Sequence, residues 1–284
     1  MKAISLDFSQ TADLRLTGEV VSSINVVVER LGADYFIVGA LARDLWLVYQ
    51  LGVPVARQTD DADFAVAVSS WEDFHVLRKA LLDSGDFRER GKAQHRLRHR
   101  NGIPIDIVPF GGLEKPDTRS ISWPPDNAFV MSVFGFQEAA KATVEVRFPE
   151  NVVGRVVTLP ALAVLKLDAW SDRHVREPEK DAYDLNLIVR NYADANNEDR
   201  LYDNNPYLLG SPADYECAGA WLLGKDMVRL LDPKGHERLA AIIAEQADSD
   251  GQLQLAGEMM RNNEERALQL LAALEDGFIG EGNE

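Results

Sequence analysis

The chain has 284 residues, a net charge of −16 and a single cysteine, Cys217. One cysteine excludes a disulfide framework and any metal site built from cysteines, and it is typical of a reducing compartment. The acidity argues against broad, non-specific binding of nucleic acid, which depends on neutralising phosphates. Because no apolar run approaches the roughly 18 residues of a membrane span and residues 1–10 lack the pattern of a signal peptide, we expect a cytoplasmic protein with no membrane partner.

The first third of the chain alternates between helical and extended patterns. Apolar residues at helical spacing predict the first helix, and Gly32 follows it as a C-cap. Ser69 or Ser70 is placed to cap the third helix. In chain order we predict helices over 12–31, 41–50 and 71–82, with a buried strand at 35–38 and an acidic strand that starts near Asp61.

The middle of the chain is extended and the rest is helical. An Asn101-Gly102 pair predicts a β-hairpin over 92–110, followed by a loop. Further strands are predicted at 128–134, 142–147 and 152–158, and helices over 160–173, 178–192, 213–231, 234–247 and 251–276. We therefore expect an α/β (α+β) protein with a mixed-sheet domain over 1–158 and a helical domain over 159–284.

The acidic strand carries Asp61 and Asp63, two residues apart. In an extended chain these side chains leave the same face. Two like charges on one face repel unless something neutralises them, and a pair of carboxylates suits Mg²⁺. A solvated strand start would show the same two residues, so the pair alone does not establish a site.

A third acid on a later strand favours the metal site. Asp106 stands between Ile105 and Ile107, so its side chain points away from the face that those isoleucines bury. If this strand neighbours the acidic strand, three carboxylates meet on one sheet face. That arrangement can bind two Mg²⁺ ions and the triphosphate they bridge.

Upstream, Gly39-Ala40 follows a strand and opens a helix. Backbone amides at a helix N-terminus can approach a phosphate closely, and the helix dipole favours the negative charge. We expect this turn to contact the nucleotide. The glycine alone would be weak evidence, but its order before Asp61, Asp63 and Asp106 is more specific.

One basic run stands out in the acidic chain, and the turn length decides which face its arginines take. A two-residue turn at Asn101-Gly102 would place Leu97 opposite Asp106. A loop longer by one residue would place Arg98 opposite Asp106, and we prefer it because it groups charged side chains together. Arg96 and Arg98 could then hold phosphates or an acceptor RNA. A soluble, charged edge strand is the alternative. The run comprises Arg88, Arg90, Lys92, Arg96, Arg98 and Arg100.

These motifs resemble the DNA polymerase β-like nucleotidyltransferase superfamily. That superfamily has a glycine and a small residue at a strand-to-helix turn, then a [DE]x[DE] strand, then a third acid. The resemblance implies that Asp61, Asp63 and Asp106 bind metal. It also implies a nucleotide contact at the turn Gly39-Ala40, although Ala40 lacks the hydroxyl of the family's Gly-Ser form. Further residues that match the motifs, and that we expect near the nucleotide, are Arg43 and Thr59.

The second half resembles a narrower family, the AbiEii-type nucleotidyltransferase toxins. Its two helical motifs match residues 166–173 and 180–185. In that family a motif lysine and a motif aspartate complete the active site, which implies catalytic roles for Lys166 and Asp181, supported by Arg173 and Asp184. Ion-paired helix charges would give the same pattern.

Together the motifs predict a Mg²⁺-dependent nucleotidyltransferase, with two ions and an NTP substrate. It would move a nucleoside monophosphate to an acceptor hydroxyl on an RNA end, a protein or a small molecule. The resemblance adds a toxin role with an antitoxin partner. A nucleotidyltransferase-like domain that only binds nucleotide or a partner is the alternative. The sequence does not specify the base or the acceptor.

Overall fold

The chain divides into two compact units. A computed structural model describes residues 5–56, 59–204, 214–247 and 253–280. One unit comprises residues 1–50 and 54–158, which we call the sheet unit. The other comprises residues 51–53 and 159–284, which we call the helical unit.

The sheet unit contains ten strands and four α-helices in the described residues. Its strands are β1 (Ser5–Asp7), β2 (Tyr35–Val38), β3 (Ala62–Val68), β4 (Phe87–Glu89), β5 (Arg96–His99), β6 (Pro104–Gly111), β7 (Ser120–Ser122), β8 (Val130–Ser132), β9 (Thr143–Arg147) and β10 (Val153–Val157). Its helices are α1 (Arg15–Leu31), α2 (Gly39–Asp44), α3 (Trp71–Asp83) and α4 (Phe136–Lys141).

Eight of these strands form one mixed sheet. Its order is β1-β9-β10-β2-β3-β6-β5-β4, and β7 pairs with β8 separately. β3 runs antiparallel to β2 and parallel to β6, so both kinds of pairing meet at the centre. The predicted α/β class with a mixed sheet is confirmed.

The core explains why the central strands are so apolar. All four residues of β2 are buried, which fits a strand covered on both faces. In β6, Ile105 and Ile107 are almost fully buried whereas Asp106 between them is partly exposed, so the side chains alternate as predicted. On α3 the hydroxyl of Ser70 accepts a hydrogen bond from the Asp73 amide, which makes Ser70 the N-cap.

The hairpin sorts its side chains as expected. Arg96 is the Cα partner of Asp106, and Leu97 is the partner of Ile105. Charged side chains therefore share one face and apolar side chains the other. This part of the prediction is confirmed.

The predicted pairing partner of Asp106 is wrong. Arg98 pairs with Pro104 instead, and its Nη1 donates to the carbonyl oxygen of Gly102 at 2.8 Å. The loop spans residues 100–102 because the His99 amide donates to the Ile103 carbonyl oxygen at 2.9 Å. The loop has the expected extra residue, but on the other side of the turn.

Several elements differ from the sequence prediction. Strands β1, β4 and β7 and helix α4 were not predicted, and β7 lies within residues 111–127, which were expected to form a loop. The helix expected over 41–50 begins at Gly39 and continues from Leu45 to Gln50 as a π-helix. The last predicted helix is interrupted at residues 260–263, where Asn263 caps a new helix. Residues 213, 251 and 252 of the predicted helices lie outside the described residues.

The helical unit consists of six α-helices in the described residues: α5 (Leu159–Arg173), α6 (Lys180–Asn191), α7 (Tyr215–Val228), α8 (Pro233–Ala247), α9 (Gln254–Met259) and α10 (Glu264–Ile279). α7 and α10 pack closely at two glycines. A Cβ on Gly224 would lie 2.8 Å from the Phe278 nitrogen, and one on Gly277 would lie 2.7 Å from the Trp221 carbonyl carbon. Backbone therefore contacts backbone at this crossing, with no room for a methyl group.

Within the described residues, no helix combines the length and the apolar character that crossing a membrane requires.

Candidate active site

Three adjacent strands of the sheet unit bring the predicted acidic residues together. Asp63 is the Cα partner of Val38 on β2 and of Asp106 on β6. Partners on neighbouring strands lie about 4.8 Å apart and project to the same face. Asp61 lies at a bend just before β3, near enough to Asp106 for its charge to raise the pKa of that carboxyl group.

The turn at Gly39 lies directly against Asp63. Gly39 has a φ of +68°, which L-residues rarely adopt. A Cβ at this position would lie 2.8 Å from Cγ of Asp63 and would overlap its Oδ2. The glycine is therefore needed for the backbone conformation and for the approach of the carboxylate. Ala40 follows within α2, at its N-terminal turn.

Burial and neighbouring charges shift the pKa of the Asp106 carboxyl group. Burial raises the pKa of its carboxyl group, and the nearby charge of Asp61 raises it further, whereas His95 and Arg96 lower it. Its Oδ2 lies 3.5 Å from Nε of Arg96. Its Oδ1 is buried without a hydrogen-bond partner among the described residues. A buried carboxylate oxygen of this kind calls for a cation or a proton.

The side chain of Asp61 is held by Thr59, which lies two residues before it in the sequence. The Thr59 hydroxyl donates to Oδ1 of Asp61 and also lies 3.3 Å from its carbonyl oxygen. The Thr59 amide in turn donates to Oδ2 of Asp44 at 3.3 Å. Thr59 thus contacts Asp61 as well as α2.

Arg43 takes a different position from the expected one. Its side chain is 4% exposed, and its Nε donates to Oδ1 of Asp44 at 2.8 Å. It therefore contacts a buried carboxylate of its own helix. A direct contact between Arg43 and nucleotide remains a prediction that this geometry does not favour.

The three acids suit a divalent cation in chemistry and register. They offer oxygen ligands on one face, a glycine turn beside them and one unpartnered buried oxygen. In the described residues no three His, Cys, Asp or Glu side chains already converge as a ligand set. Like-charged carboxylates repel, and a cation among them would offset that repulsion. By donor chemistry and strand register the residues present fit such an ion.

Sequence reasoning missed two residues at this site, Asp44 and His95. His95 is buried, its ring lies 4.9 Å from that of Trp123, and its carbonyl oxygen accepts the Ile107 amide at 2.9 Å. Burial lowers its pKa although Asp106 acts in the opposite direction. Nothing in the sequence separates His95 from the surrounding basic run. Asp44, next to Arg43, could have been read as an ion-pair partner.

The helical unit contains the second predicted set. Lys166 is buried and donates to Oδ1 of Asp181 at 3.1 Å, and it also pairs with Asp184. Nε of Arg173 donates to Oδ2 of Asp181 at 2.7 Å. All four side chains therefore form one cluster between α5 and α6.

The ionisation of this cluster follows from its pairing. Burial alone would raise the pKa of Asp181, but the charge of Lys166 and the hydrogen bond from Arg173 lower it to about 2. Burial would lower the pKa of Lys166, yet Asp184 and Asp181 raise it. Lys166 and Asp181 are thus a charged pair at neutral pH, and the contacts of the cluster join α5 to α6.

Comparisons with known proteins agree with this picture. The family model described as "Nucleotidyl transferase AbiEii toxin, Type IV TA system" matches residues 30–205. Curated proteins give no match.

Several solved structures are similar to this chain. An antigenic nucleotidyltransferase-like protein from Paracoccidioides brasiliensis is 17% identical, with a TM-score of 0.41, over 67% of this chain and 89% of that chain. The antibiotic-resistance factor ANT(2'')-Ia is 15% identical, with a TM-score of 0.38, over 68% and 93%. The Thermotoga maritima CCA-adding enzyme complexed with tRNA is 13% identical, with a TM-score of 0.25, over 92% and 80%.

The family match covers more than half of the chain and includes both motif regions described above. Its residues hold the glycine turn, the three acids and the helical cluster. The chain therefore belongs to the AbiEii family of nucleotidyltransferase toxins, and its activity is nucleotidyl transfer.

Proposed function

We propose that the protein transfers a nucleoside monophosphate from an NTP to an acceptor hydroxyl in a Mg²⁺-dependent reaction that releases pyrophosphate. The observation that carries the proposal is the pairing of Asp63 with Asp106 on adjacent strands, with Gly39 packed against Asp63. A structural surface would have no need for two carboxylates in register beside a turn that only glycine can form.

Asp61, Asp63 and Asp106 would hold the metal, and two ions are expected by the general pattern of such sites. When bound, the ions supply Lewis acidity that stabilises the triphosphate charge and lowers the pKa of the attacking hydroxyl. Asp106 is suited to accept a proton, because burial raises its pKa. We therefore propose it as a third ligand or as the base for the acceptor.

The turn Gly39-Ala40 would contact the triphosphate. A side chain at position 39 is excluded by Asp63, so the backbone there is open to close approach by a ligand. Arg96 is half exposed and pairs with Asp106 at 3.5 Å. Its charge is available for a phosphate once a cation takes over Asp106.

Lys166 and Asp181 are assigned to catalysis by the family resemblance. Their observed contacts are with each other and with Asp184 and Arg173. Because the pair is buried, substitutions there will also disturb the packing of α5 on α6. Their catalytic role needs a measurement in which folding and activity are followed together.

We propose RNA as the acceptor, with the protein acting as the toxin of a toxin–antitoxin pair. The support is the basic run on β4, on β5 and in the segments next to them, at one edge of the sheet. Its exposed members are Arg88, Lys92, Arg96 and Arg100. Arg96 connects this run to Asp106. A basic strip that leads to the acidic site suits a backbone of phosphates.

The decisive experiment is incubation with each NTP labelled at the α-phosphate, together with total cellular RNA or protein. Labelled RNA that depends on Mg²⁺ and disappears with Asp61→Asn supports the proposal. If protein or small molecules become labelled instead, the proposed reaction stands and the proposed acceptor, RNA, is wrong. Metal-dependent NTP binding without pyrophosphate release would instead select a protein that only binds nucleotide.

A further inference from the structure

Four residues of the sheet unit form a series of polar contacts that ends on Asp61. The first two residues of this series, Arg43 and Asp44, are 4% and 3% exposed. Nε of Arg43 donates to Oδ1 of Asp44 at 2.8 Å. Two buried charges that neutralise each other in this way are stable together, and removing one would leave the other uncompensated.

The second oxygen of Asp44 reaches the segment before β3. Its Oδ2 accepts the Thr59 amide at 3.3 Å. Asp44 is the last residue of α2, and Gly39 is the first. The helix that begins at the predicted phosphate turn therefore also fixes the backbone that leads into the acidic strand.

The final contact fixes a carboxylate. The Thr59 hydroxyl donates to Oδ1 of Asp61 and lies 3.3 Å from the Asp61 carbonyl oxygen. A hydroxyl that donates to one carboxylate oxygen sets the side-chain rotamer and leaves the other oxygen for a cation. Thr59 thus acts on Asp61, and Arg43 acts on Thr59 through Asp44.

We propose that Thr59 is a positioning residue that orients Asp61 for the metal, and that the Arg43–Asp44 pair holds Thr59 in place. This rests on the proposed function, because it requires Asp61 to bind a cation. It assigns Arg43 and Thr59 roles that differ from direct contact with nucleotide. Groups that support metal ligands in this way usually contribute about 10- to 100-fold to metal affinity.

The test measures Mn²⁺ binding to the full-length, nucleotide-free protein by electron paramagnetic resonance of the free ion. Thr59→Val keeps the backbone amide and the shape but removes the hydroxyl. We expect it to weaken Mn²⁺ binding by about 10- to 100-fold, with an unchanged melting temperature. Thr59→Ser restores the hydroxyl and should bind Mn²⁺ nearly as the wild type does.

A kinetic measurement adds a second readout. If Thr59 only orients a ligand, saturating Mn²⁺ should restore the turnover of Thr59→Val. It should not restore Asp61→Asn, which lacks the ligand itself. A rise in KM for NTP with unchanged Mn²⁺ affinity would mean that Thr59 contacts the nucleotide, and would overturn the positioning role.

The outcomes separate the two proposals. If Asp61→Asn binds Mn²⁺ weakly while Thr59→Val binds it as the wild type does, the positioning role fails and the proposed function stands. If wild type and Asp61→Asn bind Mn²⁺ equally, Asp61 is not a ligand and the positioning role fails, whereas the proposed reaction is decided separately by the experiment with labelled NTP.

Discussion

Gly39 and Asp63 pack so closely that position 39 has no room for a side chain beside the Asp63 carboxylate. A Cβ on Gly39 would lie 2.8 Å from Cγ of Asp63. The contact joins the turn predicted to bind phosphate to the central acid of the predicted metal site. The two functions are therefore coupled by van der Waals exclusion.

The substitution Gly39→Ala tests this coupling. Alanine at a φ of +68° is disfavoured by about 1–2 kcal/mol, and its methyl group must displace the Asp63 carboxylate. We expect nucleotidyl transfer to fall to background while most of the fold is retained. Labelled NTP turnover and the melting temperature, measured on the same preparation, check this.

Gly32→Ala provides the matched control. Gly32 has a similar φ of +63°, but a Cβ there would meet nothing within 4 Å. It should lose comparable stability and keep full activity. Equal activity losses in the two variants would show that backbone strain, and not the contact with Asp63, is responsible.

Removal of the Asp106 charge should separate stability from activity. Burial raises the pKa of Asp106, which means that the ionised carboxylate destabilises the folded state. This destabilisation is present at pH values above the raised pKa and disappears when the carboxyl group is protonated. Asp106→Asn should therefore abolish transfer while the metal-free protein melts at the same or a higher temperature. Thermal unfolding in a chelator checks the second point.

Asp83→Asn serves as the control for this charge change. Asp83 is exposed on α3 and pairs with Lys79, a type of contact that contributes little. It should change neither readout. A markedly lower melting temperature for Asp106→Asn would mean that the carboxylate is stabilised by Arg96 more than it is destabilised by burial.

Arg96 and Arg98 should behave differently despite sharing a strand. Arg96 opposes Asp106, whereas Arg98 bonds the Gly102 carbonyl oxygen. Arg96→Gln removes a competing positive charge and should strengthen Mn²⁺ binding by about two- to fivefold, as expected for a half-exposed pair. It should also raise KM for NTP or the RNA acceptor.

Arg98→Gln should leave metal affinity and KM close to the wild-type values. Equilibrium Mn²⁺ binding and steady-state kinetics on both variants give the comparison. An effect of Arg98→Gln as large as that of Arg96→Gln would favour the pairing predicted from the sequence, in which Arg98 lies opposite Asp106.

The helical cluster should make stability depend on acid. Lys166 and Arg173 lower the pKa of Asp181 from 3.8 to about 2. The stabilisation is thus present above pH 4 and is lost as the pH falls towards 2, and it amounts to about 2 kcal/mol. Urea unfolding of the full chain between pH 6 and 2.5, followed by circular dichroism, measures it.

Asp181→Asn should lack this acid-dependent part. Its difference in unfolding free energy from the wild type should shrink as the pH falls from about 4 towards 2. A constant difference over that range would show that Asp181 titrates normally. Glu177→Gln, an exposed acid near the same helix that pairs with Lys180, is the control.

Much of the site follows from local patterns in the sequence. Alternation along a strand is sufficient to predict that the Asp106 side chain points to the other face of the sheet from Ile105 and Ile107. The i, i+2 spacing predicts that Asp61 and Asp63 share a face. A glycine between strand and helix indicates a turn with a special conformation. These features depend only on neighbours along the chain, which is why they could be predicted.

The hairpin register depended on contacts from far along the chain. His99 is fully buried, its Nε2 lies 3.1 Å from the Ser23 hydroxyl of α1, and its Nδ1 accepts the Asn101 amide. Ser23 in turn donates to Asp86 at 2.9 Å. These bonds hold the turn at residues 100–102, and no local rule reveals them.

The contact partners of charged side chains could not be predicted from the sequence either. The sequence around Arg43 is compatible with an arginine that binds a ligand and with one in a buried ion pair, and only the fold shows that it pairs with Asp44.

The break before α10 contains no glycine or proline that would predict it from the sequence. It depends on Asn263, whose side chain accepts the Arg266 amide.

The glycine crossing of α7 and α10 offers genetic control over the protein. Gly277 faces the Trp221 carbonyl group so closely that even alanine would force the two helices apart. Such a change lies outside the predicted metal site and acts through heat-sensitive packing. A Gly277→Ala allele should therefore be conditional: active in cells grown cool and inactive in cells grown warm, so that temperature alone switches the activity of the enzyme.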